Sequence, residues 1–336
     1  MSHNLEISAQ QQLLLSFAFL ATQGKPATPA ALEEAGEFYF GRYRLDWSAA
    51  LPELLDKGLV QAGPGELCLT EAGKEAAQAL LSKYPRHLFF YNEFYPRAES
   101  SAAHAFFCEQ VYGINLCQHG MMDLPQLEKL AEILELSPVL RLLELGCGSG
   151  RVAEFISDQS GASILGVDIA CDAIELALSR TQSKRSRLDF IQADMRQLEL
   201  ESGAFDGIYC VDSLYGVDVD LLGRLRRLVR PGGRLAVYWS CWAAPDAPLA
   251  DLQAERTPLA LACQQMGLSY RTWDFSTQEL QHWKNKLKVI EALQADFAAE
   301  GNQFLFRNRQ LEAGLHQQYV ESRRLSRYLY QVTLAP

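Results

Sequence analysis

Glu144, Gly146, Gly148 and Gly150 are an acid followed by glycines at alternate positions, a spacing suited to holding a ligand against bare backbone. They close the apolar run Leu142-Leu143-Glu144-Leu145 and precede Arg151-Val152-Ala153-Glu154-Phe155-Ile156, whose apolar residues recur with helical spacing. A buried strand, a glycine turn and a helix whose N-terminus faces the turn bring a bound molecule to the carboxyl edge of a parallel sheet. A dinucleotide pyrophosphate would call for a third glycine at position 151, where Arg151 stands, so that chemistry is disfavoured.

Three later features extend the pattern. Asp168 ends the apolar run from Ser163, 24 residues after Glu144, and a carboxylate there can accept both hydroxyls of a ribose. Leu188 to Met195 reads as a third strand closing on Asp194, and Phe205 to Val211 as a fourth leading to Asp212. Val229-Arg230-Pro231-Gly232-Gly233-Arg234 then makes a turn before the apolar run Leu235 to Trp239. In this order, over roughly residues 139–240, these features resemble the class I S-adenosylmethionine-dependent methyltransferases. The resemblance implies an α/β fold with a Rossmann-like, seven-stranded sheet and S-adenosyl-L-methionine as cofactor. It assigns the cofactor to Glu144, Gly146, Cys147, Gly148, Gly150, Asp168, Ile169, Asp194, Met195 and Asp212, with Asp194 accepting from the adenine amino group and Met195 lying against the ring.

Upstream, Phe107-x-x-x-Val111-Tyr112-Gly113-x-x-Leu116-x-x-x-Gly120 is similar to the segment before the cofactor loop in glycine/sarcosine-type small-molecule N-methyltransferases. That likeness adds Tyr112 and Gln118 to the residues expected to cover the cofactor. Tyr112, His119 and Tyr215 are the candidates for catalysis. Tyr91, Tyr95, Tyr215, Trp239 and Trp242 are the candidates for binding the substrate, because aromatic faces attract cations; the competing reading of each is packing.

Methyl transfer is an in-line displacement, so a neutral amine acceptor needs alignment and little else, whereas a hydroxyl wants a base. The histidines beyond the fourth strand are His282 and His316 alone, so nitrogen is favoured over oxygen, with a small-molecule O-methyltransferase as the alternative. The sequence after Val211 lacks the Asn/Asp-Pro-Pro-aromatic run of enzymes that methylate base amino groups.

The 336 residues carry a formal net charge of −10, which disfavours nucleic acid and other polyanions as partners. Eight cysteines without a Cys-x-x-Cys pair predict neither zinc nor a disulfide framework. No basic leader or long apolar stretch stands at the N-terminus, so no membrane partner and a cytoplasmic location are expected.

Residues 1–86 read as helices, a small hairpin around Gly63-Pro64-Gly65, and a Thr70-capped helix from Glu71 to Lys83, an order resembling a winged-helix domain. Ten acidic against seven basic residues there argue against DNA and favour dimerisation, giving a homodimer, or covering of the substrate. A regulator that senses the cofactor is the alternative of a different class. An aromatic-rich helical linker is expected over 87–138 and the methyltransferase domain over 139–336. Within that domain the pattern predicts a helix from Pro248 to Met266 broken at Pro258, a strand from Leu268 to Phe275, a helical insertion over 277–324 that caps the substrate, and a last strand from Ser326 to Val332.

Overall fold

The computed structural model describes residues 7–22, 24–84, 87–214 and 216–334. The chain divides into two compact units, one of residues 1–96 with 170–172, the other of 97–169 with 173–336.

The first unit begins with α1 (Ala9–Thr22), α2 (Pro29–Phe40) and α3 (Ala50–Asp56), followed by the antiparallel strands β1 (Val60–Ala62) and β2 (Leu67–Leu69) and by α4 (Glu71–Lys83). Thr28 and Thr70 cap α2 and α4, each hydroxyl accepting a backbone N–H three residues on. Gly73 of α4 lies so close to the hairpin that a Cβ there would stand 1.9 Å from the Leu59 carbonyl oxygen. One buried glutamine ties down the segment after α2: Gln12 accepts from Leu45 N and Trp47 Nε1 and donates to the Tyr43 carbonyl.

Helix α5 (His87–Ser100) leads to the second unit, which opens with α6 (Ala102–Tyr112) and α7 (Leu124–Leu134). Strand and helix then alternate through β3 (Arg141–Leu145), α8 (Arg151–Ser160), β4 (Ser163–Asp168), α9 (Cys171–Arg180), β5 (Leu188–Gln192), β6 (Phe205–Cys210), α10 (Val219–Leu228) and β7 (Val229–Trp242). The end is α11 (Pro258–Gln265), β8 (Tyr270–Asp274), the helices α12 (Ser276–Ala292), α13 (Gln294–Ala299) and α14 (Gln303–Ser322), and β9 (Leu325–Thr333). The seven strands of this unit order as β5-β4-β3-β6-β7-β9-β8, the first five parallel and β9 antiparallel to both its neighbours. This is the Rossmann-like seven-stranded sheet that the resemblance to class I methyltransferases implies.

Both faces of the sheet are covered, and alternate residues of each strand point to opposite layers. Leu143, Leu145, Ile208, Val237 and Trp239 meet α10 and α11 on one side; Leu142, Ile164, Ala236 and Tyr238 meet α7 and α8 on the other. Between Phe205 and Gly207 of β6 the pairing skips from Val229 to Arg234, so Arg230 to Gly233 bulge out of β7.

The expected helix from Pro248 does not form. Residues Leu249–Leu252 and Ala254–Arg256 are separate 3₁₀ turns, and the α-helix starts only at Pro258, with Thr257 as its cap. Proline at the first helical position and a threonine before it are start signals, and they override the apolar pattern upstream. Among the described residues no helix is long and apolar enough to cross a membrane, and no cluster of His, Cys, Asp and Glu is arranged to hold a metal ion.

Candidate functional site

The carboxyl edge of the sheet is built around the turn after β3. Gly146, Gly148 and Gly150 hold φ of +68°, +53° and +72°, the left-handed region that side chains disfavour. The turn is tight on both sides: a Cβ on Gly146 would stand 2.2 Å from Ser213, and one on Gly150 2.4 Å from the Phe190 ring. Gly146 N and Cys147 N donate to the Val167 carbonyl, and Gly148 N donates to Asp168 Oδ2 at 2.8 Å. The carboxylate that ends β4 thus grips the loop that ends β3. Met195 lies beside the same turn, its methyl 3.7 Å from where a Gly146 Cβ would be.

Glu144 does not reach outward. It is buried under the loop, accepts the Tyr209 hydroxyl at 3.1 Å, and burial pushes its carboxyl up to about 8. Cys147 is buried, and burial holds its thiol well above the ordinary range. Ile169 uses its carbonyl to accept from Gln192 Nε2, and Asp194 caps the short turn Met195–Gln197 by accepting from Arg196 N.

An ion network that the sequence does not announce clasps the outer side of the loop. Glu99 accepts from Ser149 Oγ at 2.7 Å, from Arg151 through Nε and Nη2, and from Arg180 Nη1, while Arg180 also donates to the Ser149 carbonyl. These hydrogen bonds outweigh burial and hold the Glu99 carboxyl below its usual range. Glu99 stands far before the glycine motif, and only contact in space joins them.

Three residues expected at the ligands are engaged within the protein. Asp212, expected at the cofactor, has both oxygens engaged: Oδ1 accepts from Arg327 Nη1 at 2.6 Å, and Oδ2 from Arg327 Nη2 at 3.1 Å and Met121 N at 2.6 Å. Gln118 is folded back on its own loop, accepting from Leu116 N and donating to the Ile114 carbonyl. Trp239, expected at the substrate, packs in the core with Leu235 and Val237, because its place in β7 points it under α10 and α11.

Trp242 is exposed, its ring 5.1 Å from His316 of α14. Tyr91 and Tyr95 stack on one face of α5 at 5.8 Å and belong to the first unit. Tyr215 lies outside the described residues. Tyr112 is buried with its ring 4.9 Å from His282, and His119 is half-buried and near enough to lower the Glu312 carboxyl.

Residues 142–233, from β3 into the turn before the straight part of β7, match the family of methyltransferase domains. This chain carries a class I methyltransferase domain. The matched stretch lies on the sheet described above. Over 101 residues the chain is 35% identical to the O-methyltransferase rstn1 of Aspergillus nomiae, covering 29% of this chain and 45% of that protein. Over 145 residues it is 24% identical to phosphoethanolamine N-methyltransferase 3 of Arabidopsis thaliana, covering 43% of this chain and 29% of that one. Among solved structures, Haemonchus contortus phosphoethanolamine N-methyltransferase 2, bound to phosphomonomethylethanolamine and S-adenosylhomocysteine, superposes with a TM-score of 0.57. The match covers 73% of this chain and 60% of that one at 17% identity, a likeness of fold. The chain spans less than half the length of the curated relatives it matches. Those relatives methylate at oxygen and at nitrogen, so the methyltransferase domain is common to both chemistries.

Proposed function

We propose that the protein transfers a methyl group from S-adenosyl-L-methionine to a small molecule, at an amine nitrogen. The observation that carries this reading is the left-handed glycine turn whose Gly148 N–H is held by Asp168. It leaves Gly146, Gly148 and Gly150 without side chains where a cofactor must approach closely, with Asp168 and Met195 beside the turn. The cofactor supplies an activated methyl group. The chain's own residues would align it, with Gly146, Gly148 and Gly150 at its backbone side and Asp168 at its ribose.

Nitrogen rather than oxygen is supported by the histidines under the cap helices. Burial holds His104 and His282 well below the ordinary range, which makes them weak proton acceptors and poor bases for a hydroxyl. An amine that arrives neutral needs only alignment, which supplies ~7–11 kcal/mol of barrier lowering. The helices α12 to α14, inserted between β8 and β9, are read as the cap of the acceptor site, and the N-terminal helices and hairpin as a winged-helix-like module for dimerisation or covering. The eight cysteines are all free, which suits a reducing, cytoplasmic setting.

The test is methyl transfer from labelled S-adenosyl-L-methionine to a panel of small amines and phenols. Label on amines supports the proposal; label on phenols alone moves the chemistry to oxygen.

A further inference from the structure

Helix α12 buries a face that a pattern search would leave in solvent: Glu279, His282, Trp283, Lys286 and Ile290, spaced as one helical stripe. Three of the five ionise. Against them α14 sets Arg309 and Glu312, and β9 sets Arg327. The result is a buried charged cluster inside the second unit, running from the sheet edge to the cap helices.

Its connections are continuous. Ser213 Oγ donates to the Leu145 carbonyl at the root of the glycine turn, and the neighbouring Asp212 is held by Arg327. Arg327 Nε stands 3.7 Å from Glu279 Oε2, and Glu279 accepts from Trp283 Nε1 at 2.9 Å. Lys286 Nζ lies over the Trp283 ring at 4.1 Å and donates to Glu312 at 3.1 Å, and Arg309 donates to the same Glu312 oxygen.

Two observations bear on what this cluster binds. Lys286 and Arg309, both fully buried, share one carboxylate oxygen, Glu312 Oε2, while the third buried cation, Arg327, has Asp212 and Glu279 beside it. Second, Tyr112 Oη and His282 Nε2 are buried and have no hydrogen-bond partner among the described residues, with their rings 4.9 Å apart. Lys286 Nζ is 5.7 Å from the centre of the same Tyr112 ring and makes its hydrogen bond to Glu312 with one of three donors. Buried polar groups in native proteins are nearly always paired, and a buried cation in excess calls for an anion.

Resting on the methyltransferase reading above, we propose that Lys286, Tyr112 and His282 bind an anionic oxygen of the methyl acceptor, a carboxylate or a phosphate. The acceptor is then a small molecule that carries its nucleophile on one end and an oxyanion on the other. The oxyanion is anchored on α12 and α6, and the nucleophile is left toward the sheet edge. His282 and Lys286 are one turn apart on the same face of α12, so a single oxyanion can engage both, while the Tyr112 hydroxyl donates from the end of α6.

The experiment is calorimetric titration of the full chain, saturated with S-adenosylhomocysteine, with matched pairs of probes: β-alanine against β-alaninamide, benzoate against benzamide, and phenyl phosphate against phenol. In at least one pair the charged member should bind at least tenfold tighter than its neutral partner. Lys286→Met should weaken that member tenfold or more and leave S-adenosylhomocysteine affinity unchanged. Tyr112→Phe, which keeps the ring, should weaken it several-fold and covers the case in which the lysine variant does not fold. Preference for a carboxylate pair or for the phosphate pair distinguishes the two oxyanions. Equal or tighter binding of every neutral member, or no binding of any probe to protein that binds S-adenosylhomocysteine, overturns the proposal. Failure to bind S-adenosylhomocysteine overturns instead the reading on which it rests.

Discussion

Arg327, near the start of the last strand, holds Asp212, two residues past the end of β6, through two hydrogen bonds of 2.6 and 3.1 Å, and both side chains are buried. Asp212 sits at φ +55°, in the left-handed region, which costs a non-glycine residue about 1 kcal/mol or more. The ion pair and the Met121 N–H donor hold it there, so one carboxylate joins the β6 loop, the segment after α6 and the strand that follows α14.

Removing that partner should therefore be costly. Arg327→Met leaves Asp212 buried against Met121 N alone, and the expected loss is ~3–5 kcal/mol of unfolding free energy. A lowered urea midpoint at pH 7 is the check; an unchanged midpoint would mean that the pair is dispensable.

The buried Glu144 predicts a specific pH dependence. Its folded-state pKa is raised from the ordinary carboxyl range to about 8, so the folded protein binds a proton that the unfolded chain has released. The stability associated with that proton is fully present below the unfolded pKa and is lost as pH rises through about 8. Glu144→Gln mimics the neutral form and can still accept the Tyr209 hydroxyl. The variant should gain on the wild type steadily from about pH 5 to pH 8 in urea denaturation, and a pH-independent difference would contradict the assignment.

Glu99 works in the opposite sense. Its carboxyl is held low, so the stability it contributes is present above the ordinary carboxyl range and is lost as pH falls through the folded value. Because Arg151 is 34% exposed, solvent screens part of the interaction, and Glu99→Ala should cost about 1–2 kcal/mol at pH 7. The difference from wild type should shrink toward pH 3, read by denaturation across pH.

Asp168→Ala removes the acceptor of Gly148 N–H and, on the proposed reading, the ribose contact. S-adenosylhomocysteine should bind roughly 10- to 100-fold more weakly, as expected for losing hydrogen bonds to a charged group. Calorimetry decides it, and unchanged affinity would remove Asp168 from the site.

The sheet was legible in the sequence because each cue there is local. Apolar runs end in Glu144, Asp168 and Asp194, glycines fall where the backbone must turn left-handed, and Thr70 marks the start of α4 at the residue observed. The insertion between β8 and β9 was legible as helix but not as chemistry. Glu279, His282 and Lys286 recur with helical spacing, yet charged residues in a stripe ordinarily mean a solvent face. Only the packing of α12 against α14, α6 and β9 buries them. Glu99 and Arg327 were invisible for the same reason, since their partners lie 52 and 115 residues away. Asp212 was placed correctly at the sheet edge, but a sequence does not tell which of several nearby cations a carboxylate will hold.

The central claim is that the glycine turn holds S-adenosyl-L-methionine. Titration with S-adenosylhomocysteine, compared between the wild type and Gly146→Ala, tests it most directly. A Cβ at position 146 would collide with Ser213 and force a left-handed conformation on a non-glycine residue. The account predicts saturable one-to-one binding to the wild type and at least tenfold weaker binding to a folded variant. No binding to the wild type, or equal binding to both, would mean that the turn serves packing alone.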